Sequence, residues 1–93
     1  MKLDAANVQA LLGQVVVIDV EPPFVYVGTL REANDAFLVL GDADVHDLRD
    51  SETTRELYVL STARDGVRRN RTEVRVRWDG VLSISKLESV VDH

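Results

Sequence analysis

Apolar and polar positions alternate in Glu73-Val-Arg-Val-Arg-Trp-Asp-Gly-Val-Leu-Ser-Ile-Ser85, and this parity predicts two strands joined by a tight connection. A two-residue Asp79-Gly80 turn would set Val76 opposite Ser83 and Arg77 opposite Leu82, mixing apolar and charged side chains on both faces. A three-residue loop of Trp78, Asp79 and Gly80 instead pairs Val76 with Leu82 and Val74 with Ile84, and puts Arg75 and Arg77 on the other face. The second register is favoured. It asks Gly80 for the left-handed backbone that closes such loops, which glycine adopts at no steric cost, and it leaves Trp78 in the loop.

The same reading covers the rest of the chain. Leu3 to Leu12 is expected as a short helix, with Asp4 as N-cap, Leu3 and Val8 as a hydrophobic staple, and Gly13 just past its end. Gln14 to Glu21 is a strand rich in β-branched residues, with both faces partly buried, stopped by Pro22-Pro23. Phe24 to Ala33 is a second strand whose interior Gly28 marks a bend or a close backbone approach. Asn34-Asp35 supplies a turn, and Ala36 to about Val45 a third strand. Asp47 to Thr72 is long for a bare connection. A helix from Thr53 to Arg64 is expected within it, capped by Asp50 or Ser51, with Leu57 and Leu60 on one face and Gly66 at its end; the competing reading makes Leu57-Tyr-Val-Leu60 a short strand. The fourth strand begins at Thr72, the fifth ends near Lys86, and Leu87 to His93 forms a tail. The expected fold is mainly β: an N-terminal helix, then a strongly bent five-stranded antiparallel open barrel with a helical insertion at about 51–65.

Composition narrows the function classes. A chain of 93 residues, 45% hydrophobic, suits one small domain spanning 1–93. No run approaches the roughly 20 apolar residues of a membrane helix, and the N-terminus lacks the basic-then-apolar order of a signal peptide, so a soluble cytoplasmic protein without membrane contact is expected. Zero cysteines exclude disulfides and thiolate chemistry within the chain. The net charge of −5 argues against uniform attraction to nucleic acid, yet Arg64, Arg68, Arg69, Arg71, Arg75 and Arg77 cluster while Glu32 to Glu56 carries eight acids against two arginines. A basic side and an acidic side are expected.

One helix followed by a bent meander is also the order of the Sm and LSm family, the small barrels that assemble into RNA-binding rings. Gly28-Thr-Leu30 and Leu38-Val-Leu-Gly-Asp-Ala43 resemble the first Sm motif, Val76-Arg-Trp-Asp-Gly-Val-Leu-Ser-Ile84 resembles the second, and Leu11-Leu-Gly13 precedes strand one. The resemblance leaves out only the long Asp47 to Thr72 insertion. It implies a homo-oligomeric ring of five to eight subunits, in which strand four of one copy, within Thr72 to Lys86, pairs with strand five of the next. It further implies a base pocket made by an aspartate and an asparagine near the start of strand three with an arginine-glycine pair after strand four. Here Asn34 or Asp35 stands for the aspartate and Arg77 for the arginine, while Trp78 replaces the glycine. The asparagine falls on Phe37 or Leu38, whose side chains cannot hydrogen-bond a base.

Phe37, Arg77 and Trp78 nonetheless suit stacking on unpaired bases, at roughly 1 to 3 kcal/mol per base. The alternatives are that Phe37 is core and that Trp78 packs on a neighbouring subunit. Arg68, Arg69 and Arg71 are candidates for phosphate contact, or else a solvated face paired with the acids of Asp42 to Glu56. Asp42, Asp44 and His46 alternate along one strand, but surface acids at a strand end are common, and no metal site is assigned. With no recognisable nucleophile, phosphate loop or acid–base pair, the sequence predicts no enzyme and no cofactor. Two functions are carried forward: a ring-forming RNA or single-stranded nucleic-acid binder with a non-standard site, and an oligomeric protein-interaction scaffold that uses the 47–72 insertion.

Overall fold

The computed structural model describes residues 8–50 and 52–91. Five strands, β1 (Val15–Val20), β2 (Phe24–Ala33), β3 (Phe37–Asp47), β4 (Arg71–Arg77) and β5 (Val81–Lys86), make one antiparallel sheet in the order β4-β3-β2-β1-β5. The helix α1 (Arg55–Asp65) lies between β3 and β4. The first half of the helix expected at Leu3 to Leu12 lies outside the described residues; its described end is a 3-10 turn at Gln9–Leu11.

Side-chain parity explains how so short a chain buries two faces. On β1, Val16, Ile18 and Val20 point into the barrel, where they meet Leu30, Leu38, Leu40, Ala43 and Val76. The alternate residues Val15 and Val17 point outward, joining Val25 and Val27 of β2 in a second cluster. That outer patch would be left in water by the sheet alone. The helix between β3 and β4 and the tail after β5 cover it together: Tyr58 and Val59 of α1 and Leu87 and Val90 of the tail pack there. They form a lid over one sheet face, which is why β1 is apolar on both sides.

The sheet bends where its ladder slips. The β2–β3 register shifts between Val27 and Thr29, so that Asp42 and Ala43 bulge opposite Gly28, and Asp42 takes a φ of +47°. A Cβ on Gly28 would stand 2.9 Å from Ala43 Cβ and 3.1 Å from the Gly41 carbonyl oxygen. The two backbones approach closely at the bulge, and only glycine fits, as expected for this position.

Three expectations are corrected. The loop is Trp78 to Gly80, and Gly80 has a φ of +82°, but β4 and β5 do not pair as a hairpin. Leu38 lies opposite Val76 on one side, and Ile18 opposite Ile84 on the other, so the connection is a corner that carries the chain from one end of the sheet to the other. Second, Leu82 is not on the apolar face. A bulge between Asp19↔Ser83 and Val20↔Val81 turns it outward, 57% exposed. Third, α1 starts later than expected, with Thr54 as N-cap accepting from the Leu57 N–H at 3.2 Å, and it buries Tyr58 and Thr62 while Leu57 is exposed. No helix among the described residues is long and apolar enough to cross a membrane.

Candidate nucleic-acid interface

Two loops meet at one end of the sheet. The β2–β3 turn is held by Asn34, whose side-chain oxygen accepts from the backbone N–H groups of Ala36 and Phe37 at 2.8 and 3.0 Å. Local side-chain bonding of this kind is what asparagine contributes to turns. It leaves the Asn34 backbone carbonyl facing the β4–β5 corner, where the Trp78 indole N–H donates to it at 2.6 Å. The indole is half-buried against the barrel core. The tryptophan that replaces the expected glycine therefore stitches the two loops together.

Phe37 opens β3 directly opposite Arg77. One step along the same outer face, the Arg75 guanidinium lies 5.5 Å from the Phe37 ring centre, within cation–π range. Arg77 is exposed and pairs with Asp79 at 2.8 Å, and Asp35 is exposed at the tip of the turn. The corner thus gathers Asn34, Asp35, Phe37, Arg77 and Trp78 and adds Arg75, which sequence reading had left out of the site. Its alternation with Arg77 was the available signal. Beside this corner runs an open cleft of about 480 Å³ lined by Pro22, Phe24, Tyr26, Arg77 and Asp79 among others.

No family model and no curated protein sequence matches the chain. Among solved structures it is similar to an Sm protein of Pyrococcus abyssii in complex with a uridine heptamer, with a TM-score of 0.60 at 21% identity over 91% of this chain and 99% of that one. The fold is Sm-like. An Sm-like protein of Archaeoglobus fulgidus agrees, with a TM-score of 0.59 at 18% identity over 92% of this chain and 96% of the other.

Within this Sm-like sheet the arginine run divides. Phe37 pairs with Arg77 and Ala43 with Arg71, so Arg71 stands six ladder steps from the corner, about 20 Å at roughly 3.3 Å per residue. Arg68 and Arg69 precede it on the same end. Arg69 is bound to Asp42 at 2.6 Å, which Arg31 also approaches at 3.3 Å, and Arg71 donates to the Asn70 carbonyl at 2.9 Å. Arg75 pairs with Glu73 at 2.8 Å. Acids therefore interleave the arginines, where separate basic and acidic sides were expected.

Asp44 and His46 belong to the joint between α1 and the sheet. The Tyr58 hydroxyl donates to one Asp44 oxygen at 2.5 Å, Asn70 Nδ2 donates to the other at 3.0 Å, and the His46 and Tyr58 rings stack 4.0 Å apart. Asn70 also accepts from the Val45 N–H and donates to the Val45 carbonyl, closing the far end of the insertion on β3. Burial, then the Asp44 carboxylate, hold the Tyr58 phenol proton more tightly than usual. Nothing in the local pattern around Asn70 announced this role, because its partners lie 25 residues away.

Proposed function

We propose that this chain is the subunit of a ring of five to eight copies that binds RNA or other single-stranded nucleic acid at the corner of Asn34, Asp35, Phe37, Arg77 and Trp78. The observation that carries the reading is the Trp78–Asn34 bond. It fixes two loops of an Sm-like fold so that an aromatic ring, the Arg77 guanidinium and an indole share one end of the sheet. Such a surface binds bases by stacking and phosphates by charge, with little base-specific hydrogen bonding. The uridine heptamer held by the Pyrococcus protein supports a single-stranded ligand. The sheet order supports a ring: β4 and β5 are its two ends, each strand paired on one side only, and joining such edges between copies would satisfy both. Arg71 at the far end of β4, with Arg68 and Arg69 just before it, lies too far from the corner to serve the same bases, and these three would meet phosphates only of a strand that continues across the subunit.

Light scattering tests the ring, and a monomer at micromolar concentration refutes it. For nucleic acid, Trp78 is the chain's one tryptophan, so its fluorescence reports directly on the corner. Titration with short U-rich and A-rich RNA at two salt concentrations should quench it, more weakly at high salt. Trp78→Ala should weaken binding, followed by anisotropy of labelled RNA, by more than Lys86→Ala does. No binding at low salt refutes the RNA reading.

Leu57, 58% exposed on α1, favours a second reading, in which the 47–72 insertion docks a protein partner. Loss of a captured partner on Leu57→Ser, with RNA binding absent, would select it.

A further inference from the structure

The outer face of β5 is a low shelf. Its outward residues Ser83 and Ser85 are small and exposed, and α1 rises beside them across β1. Between shelf and helix lies a cavity of about 240 Å³ with a floor of Val17 and Asp19, walls of Glu56, Val59 and Leu60, and a rim of Val91. Asp19 is already neutralised there by Arg55 at 3.4 Å and by a hydrogen bond from Ser83 at 2.9 Å. Glu56 is the charge left over. Leu82 and Val91, 57% and 63% exposed, are large apolar residues left in water on β5 and on the tail that follows it.

At the other end of the sheet, β4 presents the complement. Its outward row is Arg71, Glu73, Arg75 and Arg77, all exposed: Arg75 pairs with Glu73 and lies over the Phe37 ring, Arg77 pairs with Asp79, and Arg71 donates to the Asn70 carbonyl, contacts that are weak at a surface. Long cationic side chains thus stand on one free edge, and a shelf of serines beside an apolar cavity with an unmatched carboxylate adjoins the other.

We propose that the cavity receives an arginine from β4 of a second copy, Arg75 at the centre of the row, so that α1 and the tail extend the contact between subunits. The proposal rests on the ring reading above. The methylene stem of the arginine lies against Val17, Val59 and Val91, and its guanidinium reaches Glu56, the usual division of labour for a long cationic side chain on an apolar surface. The insertion then has a use beyond covering β1. It lets the β5 side of each copy grip more than a backbone edge, and it selects a partner strand with a cation at that place.

The test follows assembly against concentration by mass photometry. Glu56→Arg should raise the concentration of half-dissociation roughly tenfold, and Val91→Asp should do the same, each with unchanged circular dichroism. Combining Glu56→Arg with Arg75→Glu should restore assembly toward the wild-type concentration. If wild type assembles and both single variants assemble equally well, or the charge reversal rescues nothing, the cavity contact is refuted while the ring stands. If wild type does not assemble, the ring reading itself has failed.

Discussion

Removing one oxygen atom from Tyr58 measures how firmly the insertion is fastened to the sheet. Tyr58 is 9% exposed, and its hydroxyl is the donor to one oxygen of Asp44, while Asn70 holds the other. Tyr58→Phe keeps the ring, its stack on His46 and its contacts with Val17, Val25 and Val27. What is lost is one hydrogen bond to a charged acceptor, about 1.5–3 kcal/mol. Asp44 is half-exposed and keeps its bond from Asn70, so water partly replaces the hydroxyl and the lower figure applies. In a domain of this size about 1.5 kcal/mol corresponds to a fall in Tm of roughly 6–12 °C. The pH dependence gives a second, independent signature. The folded-state phenol pKa is raised above its ordinary value of 10.0 by burial and by Asp44. A group whose pKa is raised on folding stabilises fully below the unfolded value and loses that contribution as pH climbs past it toward the folded value. Wild-type stability should therefore fall more steeply above pH 10 than that of Tyr58→Phe. Urea unfolding followed by Trp78 fluorescence, at one fixed protein concentration, reads both effects. A variant within about 0.5 kcal/mol of wild type, a change expected of ordinary surface substitutions, with the same alkaline slope, would refute the clamp.

Gly28→Ala forces a methyl group against the Ala43 backbone and should cost about 1–3 kcal/mol in urea unfolding, whereas a smaller loss would mean that the bulge can move aside. Thr54→Ala removes the cap of α1 and should cost about 1 kcal/mol without altering RNA binding, since neither Thr54 nor α1 supplies a residue to the corner. Arg77→Ala should weaken U-rich and A-rich RNA alike and lower the salt slope by about one, as a phosphate contact does; a loss confined to one sequence would assign Arg77 to base reading instead. Asn34→Ala should loosen the turn and cost about 1–2 kcal/mol, and it should shift the Trp78 emission because the indole's acceptor belongs to that turn.

Much of this molecule was legible in its local pattern. The β-branched run of β1, the stop at Pro22-Pro23, the close approach at Gly28, the loop of Trp78 to Gly80 and the helix ending at Gly66 all follow from side-chain propensity and from backbone angles that particular residues allow or forbid. These are short-range effects, and a linear sequence displays them in place. The corner residues Phe37, Arg77 and Trp78 were likewise found through motif order, though not the indole bond that draws Trp78 to a residue 44 positions earlier.

Other features depended on which strand lies beside which. Parity assigns each strand two faces but does not name its neighbour, so Val76 and Leu82 look like a hairpin pair until curvature carries β5 around to β1. One bulge then turns Leu82 outward. Leu57 and Leu60 look like the buried stripe of α1 because they are its leucines, yet the sheet face beneath ends at Asp44 and rewards the one side chain, Tyr58, that is apolar along its ring and polar at its tip. The arginines are adjacent in sequence and divided in space, because a strand spreads consecutive same-face residues along its length. Local chemistry wrote the strands and their turns; closure of the sheet, which sums many weak pairings across long separations, chose their neighbours and so decided which arginines could share a ligand.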